Sequence, residues 1–386
     1  MTNPSQLSID TGVGESAVVT FGMVYQGDNV GTVIFPTLDL LPGVNNSIKS
    51  TVEYNGRALG AIDIADVTIA VPGNTQQASQ PLPLSMDLSI DSLLSLMIDQ
   101  AKANNLNAEP IIALGKMAKD PTVKIPSSVF AGFNLPTFVK AAMAALKVDV
   151  TMSVDVLVGE YATSLSLVQK GVPTATDDTI LKLLPIVGTP IAQAIVDLAT
   201  LSFDSVMINS PAETDFTTNI NGLIANTGPF DADITFPSGS GVAWINGDSK
   251  TSIGQIAMPT VNAKADIGAK LALTNVPFHV TSGASMGAFV GYSLQAEAFD
   301  WEVTATNMTV IAMGAPIPGI SMTKKVTLKG FNGLKGLTIE KYDLPSNDPN
   351  GIHLVLSATL ANPSNVGIEM GTVEFTNEFQ GQNIGF

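Results

Sequence analysis

The sequence predicts a mainly β protein of tandem β-sandwich domains with a helical insertion in the first. Three observations carry this: one hairpin pattern occurs three times, strand-like runs are punctuated by Asn-Gly pairs, and the hydrophobic period changes to a helical one in a single stretch between about residues 85 and 200.

The first copy of the pattern runs from Asn3-Pro4-Ser5 through Val24-Tyr25-Gln26-Gly27 to Gly31 and Ile34-Phe35-Pro36. The second opens at Asn226-Thr227-Gly228 and passes Ala243-Trp244-Ile245-Asn246-Gly247 to Gly254 and Met258-Pro259. The third opens at Asn362-Pro363-Ser364 and reaches Phe379-Gln380-Gly381 and Gly385. Each reads as a turn, a strand, a Gly-containing hairpin and a second strand, with Tyr25, Trp244 and Phe379 as equivalent half-buried aromatics. The interval from Gly31 to Gly254 is longer than that from Gly254 to Gly385, which places an insertion in the first domain.

Within the insertion, Ile90, Leu93, Leu94, Met97, Ile98 and Ala101 share one helical face behind Ser89 as N-cap. Pro136 suits the first turn of a second helix carrying Phe138, Ala142 and Leu146, and Thr189-Pro190 that of a third carrying Ile191, Ile195 and Leu198. Strands are expected at Val148 to Val158, Phe203 to Ile208, Phe216 to Ile224, Ala263 to Leu273, Phe299 to Met313, Ser321 to Leu328 and Ile352 to Leu360, with a short helix around Ala288 to Ala296. Asn-Gly pairs at Asn55, Asn221, Asn246, Asn332 and Asn350 mark turns, because this pair tolerates positive φ. The expected domains are therefore 1–200, with its insertion at about 85–200; 201–341; and 342–386, the opening strands of a third, incomplete domain.

Composition narrows the function classes. With 34 acidic against 18 basic residues the net charge is −16, and Arg57 is the single arginine, so nucleic acid is not an expected partner. No cysteine exists to form a disulfide, and two histidines without cysteine exclude ordinary zinc sites; no metal or cofactor is expected. Only 13% of residues are charged while 45% are hydrophobic, a pattern that suits an extracellular or vacuolar-luminal β-protein. No uninterrupted apolar run reaches the length of a membrane span, and no signal peptide is visible behind Met1. Asn45 and Asn307 each open an N-x-S/T sequon and are candidate glycosylation sites in a secretory lumen.

Two catalytic motifs are set aside. Gly283-Ala284-Ser285-Met286-Gly287 matches the nucleophile elbow, but His353 would have to serve as its base and belongs to a strand opening the third copy. Gly12-Val13-Gly14-Glu15-Ser16-Ala17 matches a dinucleotide loop, yet Val18-Val19-Thr20-Phe21 reads as a strand where a helix is required. The chain is not expected to be an enzyme.

Asn362-Pro363-Ser364-Asn365-Val366-Gly367-Ile368, followed by Gly371-Thr372-Val373 and Gln380 to Gly385, resembles the opening of a late-embryogenesis-abundant group-two (LEA14-like, water-stress and hypersensitive response) domain. Phe299-Asp300-Trp301 through Ile317-Pro318-Gly319-Ile320 to Lys324-Lys325 and Gly330-Phe331-Asn332-Gly333-Leu334 is similar to large fungal proteins with several such domains behind one membrane anchor. The resemblance covers about 1–60 and 200–386; it implies immunoglobulin-like sandwiches without catalytic residues, and lipid binding or transfer.

Two modes of action follow. The first copy lacks a strand before its turn, whereas the third has one containing Ile352, Leu354, Leu356 and Leu360; this expects head-to-tail filaments by donor-strand complementation, the partner being the chain itself or an adjacent domain. The alternative is a lipid-binding module, with Ile90, Leu94, Met97, Phe138, Met143 and Leu146 lining an apolar cavity.

Overall fold

A computed structural model describes residues 17–25, 28–38, 43–69, 82–86, 88–144, 146–158, 161–175, 177–335, 338–348, 351–369, 377–379 and 382–385. The protein is mainly β and divides into two compact units, Met1–Ile191 with Met313–Ala315, and Ala192–Ala312 with Pro316–Phe386.

In unit 1 the chain forms β1 (Ala17–Tyr25), β2 (Asp28–Leu38), β3 (Gly43–Tyr54), β4 (Arg57–Ile69) and β5 (Leu82–Met86). Helices α1 (Ile90–Ala103), α2 (Glu109–Lys119) and α3 (Leu135–Met143) follow, and then β6 (Lys147–Val158) and β7 (Tyr161–Ala175). A 3-10 turn at Asp178–Leu183 leads into α4 (Leu184–Leu198), and the division between the units falls within this helix. The seven strands close a barrel in the order β1-β2-β7-β6-β3-β4-β5. Closure depends on β5, which pairs antiparallel with β4 at Gly60↔Met86 and parallel with β1 from Phe21↔Leu82 to Val24↔Ser85.

The strand expected at Val148 to Val158 is present as β6, with Val148, Val150 and Met152 almost completely buried, and β7, which no expected strand covers, pairs with it along most of its length. Among the described residues the strands of this unit close on themselves, with β5 between β1 and β4.

The helices have local causes. Ser89 caps α1 by accepting the Ser92 N–H at 3.1 Å, and Asn134 caps α3 by accepting the Thr137 N–H at 2.9 Å, with Pro136 in the first turn. Helix α2, not anticipated, starts with Glu109-Pro110. Pro190 does not start a helix: it lies inside α4. The combined helical stretch Asp178–Leu198 is long and apolar enough, by length and composition, to cross a membrane, but 44% of its most apolar window is buried within the protein. Its Ile180, Leu183, Leu184 and Val187 face the residues of α1, α2 and α3, which marks it as a core element of unit 1.

Unit 2 contains β8 (Thr200–Asn209), β9 (Asp215–Ala225), β10 (Ala232–Thr235), β11 (Ser240–Asn246), β12 (Ser249–Ile256), β13 (Val261–Ala263) and β14 (Ala269–Val280). Helix α5 (Gly283–Gln295) precedes β15 (Ala298–Ala312) and β16 (Ala315–Lys329). The chain continues through β17 (Thr338–Asp348), β18 (Gly351–Thr359), β19 (Val366–Ile368), β20 (Asn377–Phe379) and β21 (Gln382–Gly385). Ten strands form one sheet, in the order β13-β10-β15-β11-β12-β14-β9-β8-β19 with β16 on β15. Residues 342–386 do not form a unit of their own; β19 pairs in parallel with β8, from Val366↔Val206 to Ile368↔Ile208, and extends the sheet of unit 2. The Asn-Pro-Ser-Asn turn anchors it. Asn365 accepts the Lys329 N–H at 2.7 Å and donates to the Phe203 carbonyl at 3.1 Å, while Ser364 donates to the Lys329 carbonyl.

The repeated hairpin is present three times, as β1–β2, β11–β12 and β20–β21, and each copy carries a bulge at the same place. The pairing steps from Gly31 to Asn29, from Gly254 to Ser252 and from Gly385 to Asn383, so that Val30, Ile253 and Ile384 are the extra residues. Val30 and Ile253 are both 0% exposed. Asn55-Gly56 and Asn246-Gly247 make turns as expected, with φ of 49° and 73° at the first pair. Asn221-Gly222 does not: it lies inside β9, where Gly222 passes against the Ser202 carbonyl with no room for a side chain. Asn350 is outside the described residues.

Candidate assembly surface

Strands β17 and β18 form a two-stranded ribbon paired with no other strand among the described residues. Its register runs from Thr338↔Thr359 to Asp348↔Gly351, with irregularities between Ile339 and Lys341 and between Asp343 and Ser346. The first irregularity determines the surface. Ile339 lies opposite Ala358 and Tyr342 opposite Leu356, so the extra residue Glu340 puts Ile339 and Tyr342 on one face despite their odd spacing. Leu344 follows Tyr342 by two positions, and Leu360 follows Ala358 likewise, just beyond the strand.

That face is apolar and open to solvent. Tyr342 is 75% exposed, Leu344 56%, Ile339 55% and Leu356 46%. An isolated two-stranded ribbon is at best marginally stable in water, and an apolar face left uncovered adds to the cost. The strand edges differ in how they are protected. β16 carries Pro316, Pro318, Lys324 and Lys325, and β17 carries Glu340, Lys341, Asp343, Pro345 and Asp348, the residue types that discourage pairing with another chain. In β18, Gly-Ile-His-Leu-Val-Leu-Ser-Ala-Thr has neither proline nor a Lys, Asp or Glu.

Of the expected assembly residues, Leu356 and Leu360 are exposed, and Ile352 and Leu354 lie in β18 with side chains outside the described residues. The sequence reading missed Ile339, Tyr342 and Leu344, since no strand was assigned there; the alternation Tyr342-Asp343-Leu344 was the available signal.

The expected lipid cavity is a packed core. Leu94, Met97 and Met143 line a void with Ile111, Leu114 and Val139, but its volume is about 10 Å³, room for one water-sized sphere. Ile90, Phe138 and Leu146 do not line it, and the last two are buried. Asn307 is exposed in β15 with φ of 55°, a conformation asparagine tolerates, whereas the Asn45 side chain is outside the described residues. Ser285 sits in the first turn of α5, where its N–H is held by the Ser282 hydroxyl at 3.2 Å; it occupies a capped helix and not a strained turn after a strand. Among the described residues no three His, Asp or Glu side chains cluster as metal ligands.

No curated protein and no solved structure matches the chain. Residues 251–377, from within β12 to the first residue of β20 and including the whole ribbon, match the sequence model of a protein family of unknown function, DUF3712.

Proposed function

We propose that the chain is a non-catalytic assembly protein that associates with a second copy of itself through the β17–β18 ribbon. The observation that carries this reading is the unprotected outer edge of β18 beside an exposed apolar face. Two β18 edges meeting antiparallel across a two-fold axis would form a four-stranded sheet and bring the Leu356 and Tyr342 faces of both copies together. A closed pair is favoured over donor-strand filaments because β5 already fills the gap that a donated strand would need in the first unit. The net charge of −16 opposes close approach of two copies, so association should strengthen with salt.

An extracytoplasmic site belongs to the same proposal, supported by the low charge density and by Asn307 standing exposed within its sequon. So does kinship with the group-two late-embryogenesis-abundant domains that the repeated hairpins resemble. Sedimentation velocity tests the assembly reading. A concentration-dependent dimer is expected in 0.3 M salt, about the upper range where charge screening still changes steeply, and Leu356→Lys should leave it monomeric with unchanged thermal unfolding. A parent chain that remains monomeric at high concentration, or that floats with neutral phosphatidylcholine vesicles as a monomer, overturns it.

A further inference from the structure

Strand β15 changes partners along its length. Toward its start it pairs with β11, from Ile245↔Asp300 to Gly241↔Thr304, and at its end with β10, from Thr235↔Thr309 to Ala232↔Ala312. Residues 305–308 fall between the two ladders, where residues 236–239 carry the chain from β10 to β11. In this interval the alternation of the strand slips by one: Ala305 and Met308 are buried, while the adjacent Thr306 and Asn307 are both exposed. Asn307 takes up the slip with φ of 55°, a left-handed backbone that asparagine enters more readily than other side-chain-bearing residues.

The amide of Asn307 is uncommitted. Those of Asn221, Asn262 and Asn365 donate to Ser205, to Asp233 and to the Phe203 carbonyl. The Asn307 side chain makes no hydrogen bond among the described residues. Beyond it Met308, Val310 and Ala312 turn inward, so Thr309 and the 40% exposed Ile311 stand on the outer face of the sheet. Thr309 supplies the hydroxyl that completes Asn307-Met308-Thr309, and neither Met308 nor Val310 is a proline.

The structure assigns Asn307 as the acceptor of an N-linked oligosaccharide, borne on the outer face of the unit 2 sheet. The donor class is an oligosaccharide on a polyprenyl diphosphate. The Asn307 carboxamide nitrogen attacks the anomeric carbon, and an N–C bond forms as the C–O bond to the diphosphate breaks. The lipid diphosphate leaves with the bonding pair, the nitrogen loses one proton, and nothing is oxidised or reduced. A bulky hydrated group on this nitrogen displaces no buried contact, because the amide already faces water with no partner to give up. Its bulk also bars the face that carries Ile311 from stacking on a second copy. Modification at Asn307 presupposes the extracytoplasmic site proposed above and is independent of the ribbon.

The full chain, sent into the secretory pathway of a eukaryotic host by a cleavable leader, provides the test, because the leader fixes the compartment and isolates the acceptor. Enzymatic release of glycans in heavy-oxygen water, followed by peptide mass spectrometry, should find labelled aspartate at position 307 in the majority of folded lumenal chains. Asn307→Asp keeps a residue that tolerates left-handed backbone but removes the amide nitrogen, and should lose this glycan. Thr309→Val should lose it as well and Thr309→Ser should keep it, each with the thermal unfolding of the deglycosylated parent. Folded lumenal chains with Asn307 unmodified, a glycan at Asn307 only in chains that fail to fold, or full occupancy in Thr309→Val overturns the assignment. None of these results bears on location or assembly, which are read separately by protease protection in the chain's own cell and by sedimentation.

Discussion

Trp244 stands directly opposite Trp301 across the β11–β15 ladder, and neither buried indole N–H has an acceptor among the described residues. With Phe289 and Tyr292 of α5 and Phe299 of β15 they make an aromatic cluster beneath the helix, with ring centroids 5.0 to 6.0 Å apart. An unpaired buried donor costs stability, so removing it offsets part of the loss from a smaller ring. Trp301→Phe should therefore cost less than about 1.5 kcal/mol, against about 3–5 kcal/mol for Trp301→Ala. Urea unfolding followed by circular dichroism measures the difference.

Both tryptophans lie in unit 2, and this separates the two bulged hairpins experimentally. Ile253→Ala should cost about 2–4 kcal/mol, visible in tryptophan emission as well as in circular dichroism. Val30→Ala, at the equivalent position of unit 1, should give a smaller loss that circular dichroism detects and tryptophan emission does not.

Gly254 and Gly247 lie in the same hairpin but in different surroundings. A methyl group on Gly254 would collide with the Phe278 ring and come within 2.6 Å of the His279 carbonyl, whereas on Gly247 it would meet open space at a φ of 59°. Gly254→Ala should destabilise by about 2 kcal/mol or more, and Gly247→Ala by about 1 kcal/mol, the cost of left-handed backbone without a clash. Melting temperatures of the two variants test this order.

Asn365 satisfies one backbone donor and one backbone acceptor on two separate strands. Its replacement by alanine should cost about 1–3 kcal/mol and raise amide exchange at β19 before the rest of the sheet, which hydrogen exchange resolved by residue can follow.

Acid should weaken the end of β15 through Asp300. Partial burial pushes its carboxyl up, but hydrogen bonds from the Lys325 ammonium and the Thr327 hydroxyl outweigh this and leave it below 3.8. A carboxyl depressed in the folded state contributes stability above its unfolded value and loses it as pH falls through the folded one. The melting-temperature difference between the parent and Asp300→Asn should be constant above about pH 5, narrow below 3.8 and vanish in stronger acid.

The hairpin copies could be read from sequence because their information is local: an aromatic residue, a two-residue turn and a Val-Gly or Ile-Gly bulge within a few positions. The strand Val148 to Val158 was likewise legible in its alternation, but its membership of the barrel was not, because the pairing partners in β3 are far away in the chain. Strand β5 is five residues long and contains Pro83; nothing in it announces a parallel ladder with β1. Helix α5 begins five residues before its expected start, since Gly283 and Gly287 hide a helix held by Ser282 and by packing of Phe289 under the tryptophans. The hydrogen bond between Asp215 and His279 joins residues from separate strands, and only the β9–β14 register brings them together.

The β2–β7 contact, at Thr32↔Ala175 and Val33↔Thr174, has a consequence for biosynthesis. A ribosome releases the first hairpin long before the residues that complete its cylinder, so the nascent N-terminal segment must wait, with one flank bare, until translation has passed position 175. A holding chaperone, or a pause in elongation beyond that codon, would shield that flank in the meantime.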